Sequence, residues 1–149
     1  DAMSERKDPL VSYHFYVDIG DKGNGVFREA AGLESETEVI EHKESGPKGE
    51  VVTSKMPGRT KYPNIVLKRG LTGDMRFWEW RKQIEDGKFK EALTNGSIIL
   101  YDQTHSEVAR WNFEEGWAAK VSGPQLNATT NEVAVETVEI AVARTIRVK

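Results

Sequence analysis

The segment Gly123-Pro124-Gln125-Leu126-Asn127-Ala128-Thr129-Thr130-Asn131, running into Glu132-Val133-Ala134-Val135-Glu136-Thr137-Val138-Glu139-Ile140, constrains this chain more than any other. It opens as a turn, because glycine accepts backbone angles closed to other residues while proline fixes φ and lacks an amide donor. It continues as a β-branched run that keeps carboxylates at Glu132, Glu136 and Glu139, a composition suited to a strand. The expectation is one long closing segment, Glu132 to Val148. An exposed strand edge invites another chain to pair with it unless it is blunted or covered. The first question is therefore what this edge joins.

With 149 residues the chain is long enough to bury its own core as one domain, without metal or disulfide support. It has no cysteine, which excludes a disulfide framework, a thiolate zinc site and a cysteine nucleophile. Its 21 basic and 24 acidic residues leave a net charge of −3, without the clustered basic excess of a nucleic-acid surface. Residues 1–10 read as a flexible polar N-terminus, with Met3 as the natural start and Asp1-Ala2 as additions ahead of it, and residues 11–149 read as a single domain. No signal-peptide hydrophobic region follows Ser4-Glu5-Arg6-Lys7-Asp8, and no apolar run is long enough to span a bilayer. Synthesis and folding in the cytoplasm are expected.

Alternation predicts a strand from Tyr13 to Ile19, a turn over Gly20 to Gly25 and a return strand from Val26 to Ala31. Leu33 to Lys43 reads as a strand with Glu34, Glu36 and Glu38 on one pleat face. Glu44 to Lys61, rich in Gly, Pro, Lys and Ser, reads as a long loop, a feature usually tied to function. Tyr62 to Lys68 is a further strand. One helix begins at the N-cap Asp74, carries Phe77, Trp80 and Ile84 on a common face widened by Met75 and Trp78, and stops at Gly87. Lys88 to Leu93 adds a helical turn. Ser97 to Tyr101 and Val108 to Phe113 form a hairpin with Ala109, Trp111 and Phe113 inward, and Trp117 to Val121 is a short strand. The fold class is mainly β with one packed helix.

Motifs for chemistry are weak. His14, His42 and His105 fall in three different elements and form no local metal-ligand pair, and no nucleophile elbow is present. The glutamates along Glu34 to Glu38, at Glu114/Glu115 and at Glu136/Glu139 fit a wetted face better than a hydrolytic carboxylate pair, which needs a cleft and separated pKa values. Gly20 to Gly25 lacks the spacing of a phosphate loop and leads into a strand instead of a helix. Asn95-Gly96-Ser97 and Asn127-Ala128-Thr129 match the glycosylation sequon but read as turns. The lysines and Arg59 of the 44–61 loop alternate with Glu41, Glu44 and Glu50, a mixture suited to protein–protein register.

Several segments, in this order, resemble the tail tube protein family of contractile phages and phage-derived contractile injection systems. They are Phe15-Tyr16-Val17-Asp18-Ile19, Ala31-Gly32-Leu33-Glu34, and the run from Met56-Pro57-Gly58-Arg59 through Asn64 to Gly70. The aromatic helix Phe77-Trp78-Glu79-Trp80, the hairpin Ile98 to Trp111, Gly123-Pro124-Gln125-Leu126-Asn127-Ala128 and Asn131 to Glu136 follow. The resemblance spans about Tyr13 to Arg144. It implies a β-sandwich or half-barrel subunit with one helix, similar to the type VI secretion tube protein, that forms hexameric rings stacked into an inner tube. It implies no catalysis and no cofactor or metal. Its implied partners are further copies of the chain, a sheath protein, baseplate and tube-terminating proteins, and cargo in the lumen, either DNA or a protein effector. The assembly is a phage tail or an injection particle, retained in the bacterium or released from it. By the same resemblance Glu34, Glu36 and Glu38 face the lumen. Lys48, Lys55, Met56, Arg59 and Lys61 belong to a ring-stacking loop, and Glu132, Val133, Val135, Glu136, Val138 and Ile140 to an intersubunit strand. A baseplate tube-initiator relative and an isolated β-sandwich binding module are the alternatives.

Overall fold

The computed structural model describes residues 13–124 and 134–149. Gln125 to Val133, with Glu132 and Val133 of the expected closing strand, and residues 1–12 lie outside them.

Strand β1 (His14–Asp18) follows the predicted alternation, with Val17 and Ile19 buried. It pairs antiparallel with β2 (Asn24–Phe27) on one side and β7 (Thr94–Tyr101) on the other. The return strand expected from Val26 to Ala31 breaks at Arg28, and β3 (Glu29–Ala31) pairs with β6 (Ile65–Gly70). The main sheet runs β2-β1-β7-β8-β9-β6-β3, with β8 spanning Glu107–Ser122 and β9 Val135–Ala141. Thus β2 and β3 end opposite sides of one path although Arg28 alone separates them in the chain. Two peptide links reach at most about 7 Å, so the ends of the path must meet. The Arg28 amide donates to the Lys68 carbonyl at 3.0 Å across that seam. The sheet is therefore rolled on itself, as a barrel is.

Strand β8 is the spine. Two strands and a break were expected over Val108 to Val121, but Glu114-Glu115-Gly116 bends one continuous 16-residue strand without ending it. Its first part pairs with β7 and with β10 (Arg144–Arg147), and its last part with β9. Phe113 is buried at the bend, and its ring fills the space where side chains at Gly96 and Gly116 would stand. Ala109 is also buried, whereas Trp111 is only partly covered, with the Arg147 guanidinium 5.6 Å above its ring.

Helix α1 (Arg76–Glu85) starts one residue later than a cap at Asp74 implies, with Met75 in the backbone cap position. The Asp74 carboxylate nevertheless accepts the Arg76 amide at 3.1 Å and binds the Arg76 guanidinium. Phe77 and Trp80 enter the core. The Trp80 indole donates to the Ala92 carbonyl at 2.7 Å, fastening α2 (Phe89–Ala92) beneath α1. Gly87, at φ +76°, ends α1 as predicted.

The long closing strand is corrected twice. It divides at Val142–Ala143 into β9 and β10, which pair with different strands. Moreover β9 is interior: β6 pairs along one side and β8 along the other. From Thr137 to Ile140 the strand has main-chain partners on both sides, while Val135 and Glu136 pair with β6; Glu136, Val138 and Ile140 are fully buried. Glu136 and Glu139 fall on opposite faces of β9, so the two carboxylates do not share a wetted surface.

Candidate assembly interface

The expected loop from Glu44 to Lys61 is a strand. Strand β4 (Glu36–Ser45) and β5 (Val51–Lys61) form a separate two-stranded sheet closed by the Gly46–Glu50 turn. The turn is well made: Gly49 sits at φ +78°, its amide donates to the Gly46 carbonyl at 3.0 Å, and the Lys48 amide donates to the Glu50 carboxylate at 2.9 Å. Pairing runs from Ser45↔Val51 to Glu36↔Lys61, interrupted where Gly58 and Arg59 together oppose Glu38. That bulge carries the extra residue and hides the strand period from a reader of the sequence. Ten residues of strand extend about 33 Å. Both ends of the hairpin leave the barrel beside Gly32, where φ is +85° and any side chain would overlap the Asn64 carbonyl.

Every residue of the two strands is exposed except Gly58. Among the described residues, β4 and β5 pair only with each other. An isolated two-stranded hairpin is marginal in water, yet this one displays Val39, Ile40, Val51, Val52 and Met56, each between 46% and 71% exposed. One face holds Glu36, Glu38, Ile40, His42 and Glu44 opposite Lys61, Met56, Ser54 and Val52. The other holds Thr37, Val39, Glu41 and Lys43 opposite Thr60, Pro57, Lys55 and Thr53. Each face is thus an apolar centre bordered by charges, the anatomy of a protein–protein contact. Covering the five apolar side chains on assembly is worth roughly 1 kcal/mol each.

The predicted ring-stacking residues, and two of the three predicted lumen-facing glutamates, lie on this hairpin. Lys55, Met56, Arg59 and Lys61 lie on β5 and Lys48 lies in the turn. Glu36 and Glu38 share a face of β4, whereas Glu34 precedes the strand and is not on its pleat. Glu38 and Lys61, expected in different roles, form one ion pair at 2.8 Å. The hydrogen bond and charge of Lys61 lower the Glu38 pKa, and Glu38 raises that of Lys61. A second pair, His42–Glu44 at 2.8 Å, lies on the same face. The apolar members Val39, Ile40, Val51 and Val52 were missed as site residues. The signal for them was present in the alternation of Val39 and Glu41 with their neighbours, once the 51–61 segment is read as a strand.

The main sheet manages its edges differently. Its free-edged strands β2, β3 and β10 have four, three and four residues, and short edges resist unwanted pairing. Among the described residues the long free edges belong to the hairpin, where the bulge, Pro57 and the lysines blunt them in part. Neither helix is long and apolar enough to cross a membrane.

Solved structures share this fold. The chain is 25% identical to one in the sheath–tube complex of an extracellular contractile injection system, PVC, in its extended state, covering 96% of this chain and 92% of that one with a TM-score of 0.74. It is 25% identical to a chain of the anti-feeding prophage tube-terminating cap, covering 95% and 92% with a TM-score of 0.71. Hcp1 from Flavobacterium johnsoniae, at 13% identity, has the same fold over 90% of this chain and 94% of its own, with a TM-score of 0.54. No curated protein sequence matches the chain. The model of the T4-like virus tail tube protein gp19 matches residues 11–145, nearly the full length, and the chain accordingly belongs to this family of tail tube proteins of contractile injection systems and phage tails.

Proposed function

We propose that copies of this chain form hexameric rings that stack into a rigid inner tube, which a contracting sheath drives through a target envelope and through which cargo passes. In this reading the protein works mechanically and catalyses nothing. The observation that carries it is the hairpin β4–β5, solvated on both faces and studded with apolar side chains, which a second copy would cover. Lys48, Lys55, Met56, Arg59 and Lys61 then contribute to stacking between rings. Main-chain pairing between neighbours would use edges other than Thr137 to Ile140, which β6 and β8 already pair within the chain. Glu34 and Glu36 would hydrate the channel wall and repel an anionic cargo. Glu38, neutralised in part by Lys61, would contribute less to that field. Sheath, baseplate and terminating proteins are the expected partners, by analogy with the assemblies in which the PVC and anti-feeding prophage chains occur, inside a phage tail or an injection particle.

Size-exclusion chromatography with negative-stain imaging tests this reading. Rings or tubes with a central hole are expected, and a strict monomer at high concentration would reject it.

A further inference from the structure

Away from the hairpin, the start of β1 and the β7–β8 turn bring two histidines together. His14 and His105 are 91 residues apart in sequence, yet their ring centroids lie 5.8 Å apart at 66°. Both positions are held. His14 is the cross-strand partner of Tyr101, whose ring stacks on the imidazole at 5.6 Å and 21°. His105 sits in the left-handed region at φ +63°, costly for a residue with a Cβ. It is kept there by a turn in which the Asp102 carboxylate accepts the Thr104 amide at 2.8 Å, the Thr104 hydroxyl at 2.6 Å and the Ser106 amide at 3.1 Å. The two imidazoles line a cavity of about 280 Å³ with Tyr16 and Tyr101.

We propose that His14 and His105 form a two-imidazole site for a borderline divalent transition metal, with Zn²⁺, Ni²⁺ and Cu²⁺ as the fitting ions. Imidazole suits all three. Two imidazoles bound at about 2.0–2.1 Å to one tetrahedral ion have ring centres roughly 5.2 Å apart, close to the observed separation. The 66° between the planes is compatible with ligation from two directions, and a face-to-face stack is not. Among the described residues no three His, Cys, Asp or Glu side chains converge, so these residues supply two ligands and the remaining positions of the shell are open to water or another donor. The site is consequently modest in affinity and open to a further donor from a partner.

Isothermal titration of the full chain without a purification tag, using zinc chloride and separately nickel chloride in a non-coordinating buffer, tests the site. About one ion per chain is expected at pH 7.5. His14→Gln and His105→Gln should each weaken binding by at least tenfold with an unchanged circular-dichroism spectrum. His42→Gln, on the hairpin, should leave it intact. Sub-stoichiometric Cu²⁺ should broaden the imidazole resonances of His14 and His105 before that of His42. Failure to bind either ion below millimolar concentration, or equal binding by the His14→Gln/His105→Gln double variant, overturns the proposal. A His42→Gln variant that alone loses binding does so as well.

Discussion

At Glu136 a carboxylate is sealed in the barrel core 3.7 Å from Arg69, whose guanidinium lies between the rings of Phe27 and Phe77 at 5.0 and 4.8 Å. Among the described residues, Arg69 Nε and Nη2 and both Glu136 oxygens find no hydrogen-bond partner. Desolvation raises the Glu136 pKa, and the Arg69 charge opposes it only in part. Because the folded pKa lies above the unfolded value, ionised Glu136 costs stability at higher pH, a cost relieved as pH falls through the folded pKa. Removing one member of such a pair strands the other's charge. Glu136→Leu should cost about 3 kcal/mol or more in urea unfolding, and Arg69→Met/Glu136→Leu should recover most of it. A double variant as unstable as the single would exclude this account. Asp74 has the opposite sign: its hydrogen bonds from Arg76 hold its pKa down to about 2. Its contribution is complete above the ordinary carboxylate pKa and is lost as pH falls toward 2. Asp74→Asn should destabilise by about 1 kcal/mol at pH 7 and by little at pH 2; an equal effect at both would sink the assignment.

Two elements invite separate tests. In β8 the bend depends on the space that Gly116 leaves for Phe113. Gly116→Ala should lower stability by roughly 1–3 kcal/mol through overpacking, read from the shift of the denaturation midpoint, and a neutral result would remove the stated reason for the glycine. The hairpin behaves in the opposite way, since it buries nothing of its own. Ile40→Asp with Met56→Asp, cross-strand partners on one face, should leave barrel stability within about 0.5 kcal/mol, as surface changes do, while abolishing tubes seen by negative stain. Tubes of normal length from this variant would exclude that face from assembly.

For the whole molecule the consequence is a division of labour between a rolled, barrel-like sheet and an exposed hairpin. The barrel folds on contacts within one chain, while the hairpin, in the proposed assembly, is covered by another copy. Shortening the Gly46–Glu50 turn and its flanking strand ends should therefore yield folded subunits and rings that fail to elongate. Full-length tubes would reject the stacking role. Glu34→Lys/Glu36→Lys tests the lumen assignment separately. A tube reconstruction that places these side chains on the outer surface would remove it.

The residues alone determined β1, the helix carrying Phe77 and Trp80, the β7–β8 hairpin and the family resemblance, because alternation, helical period, capping and turn chemistry are local properties. They also singled out the segment Glu44 to Lys61, though as a loop where the structure has a turn and the strand β5. Tertiary structure decided the rest. The bulge at Gly58-Arg59 hid the period of β5, and only pairing with β4 revealed it as a strand. Glu136 reads as a solvated carboxylate, and only the neighbour across the sheet, Arg69, gives it a place in the core. The closing segment, which first posed the question of a partner, contains a strand, β9, that is paired with β6 along one side and over Thr137 to Ala141 with β8 along the other. Main-chain partners are chosen by the closure of the whole sheet, and no stretch of sequence carries that information by itself.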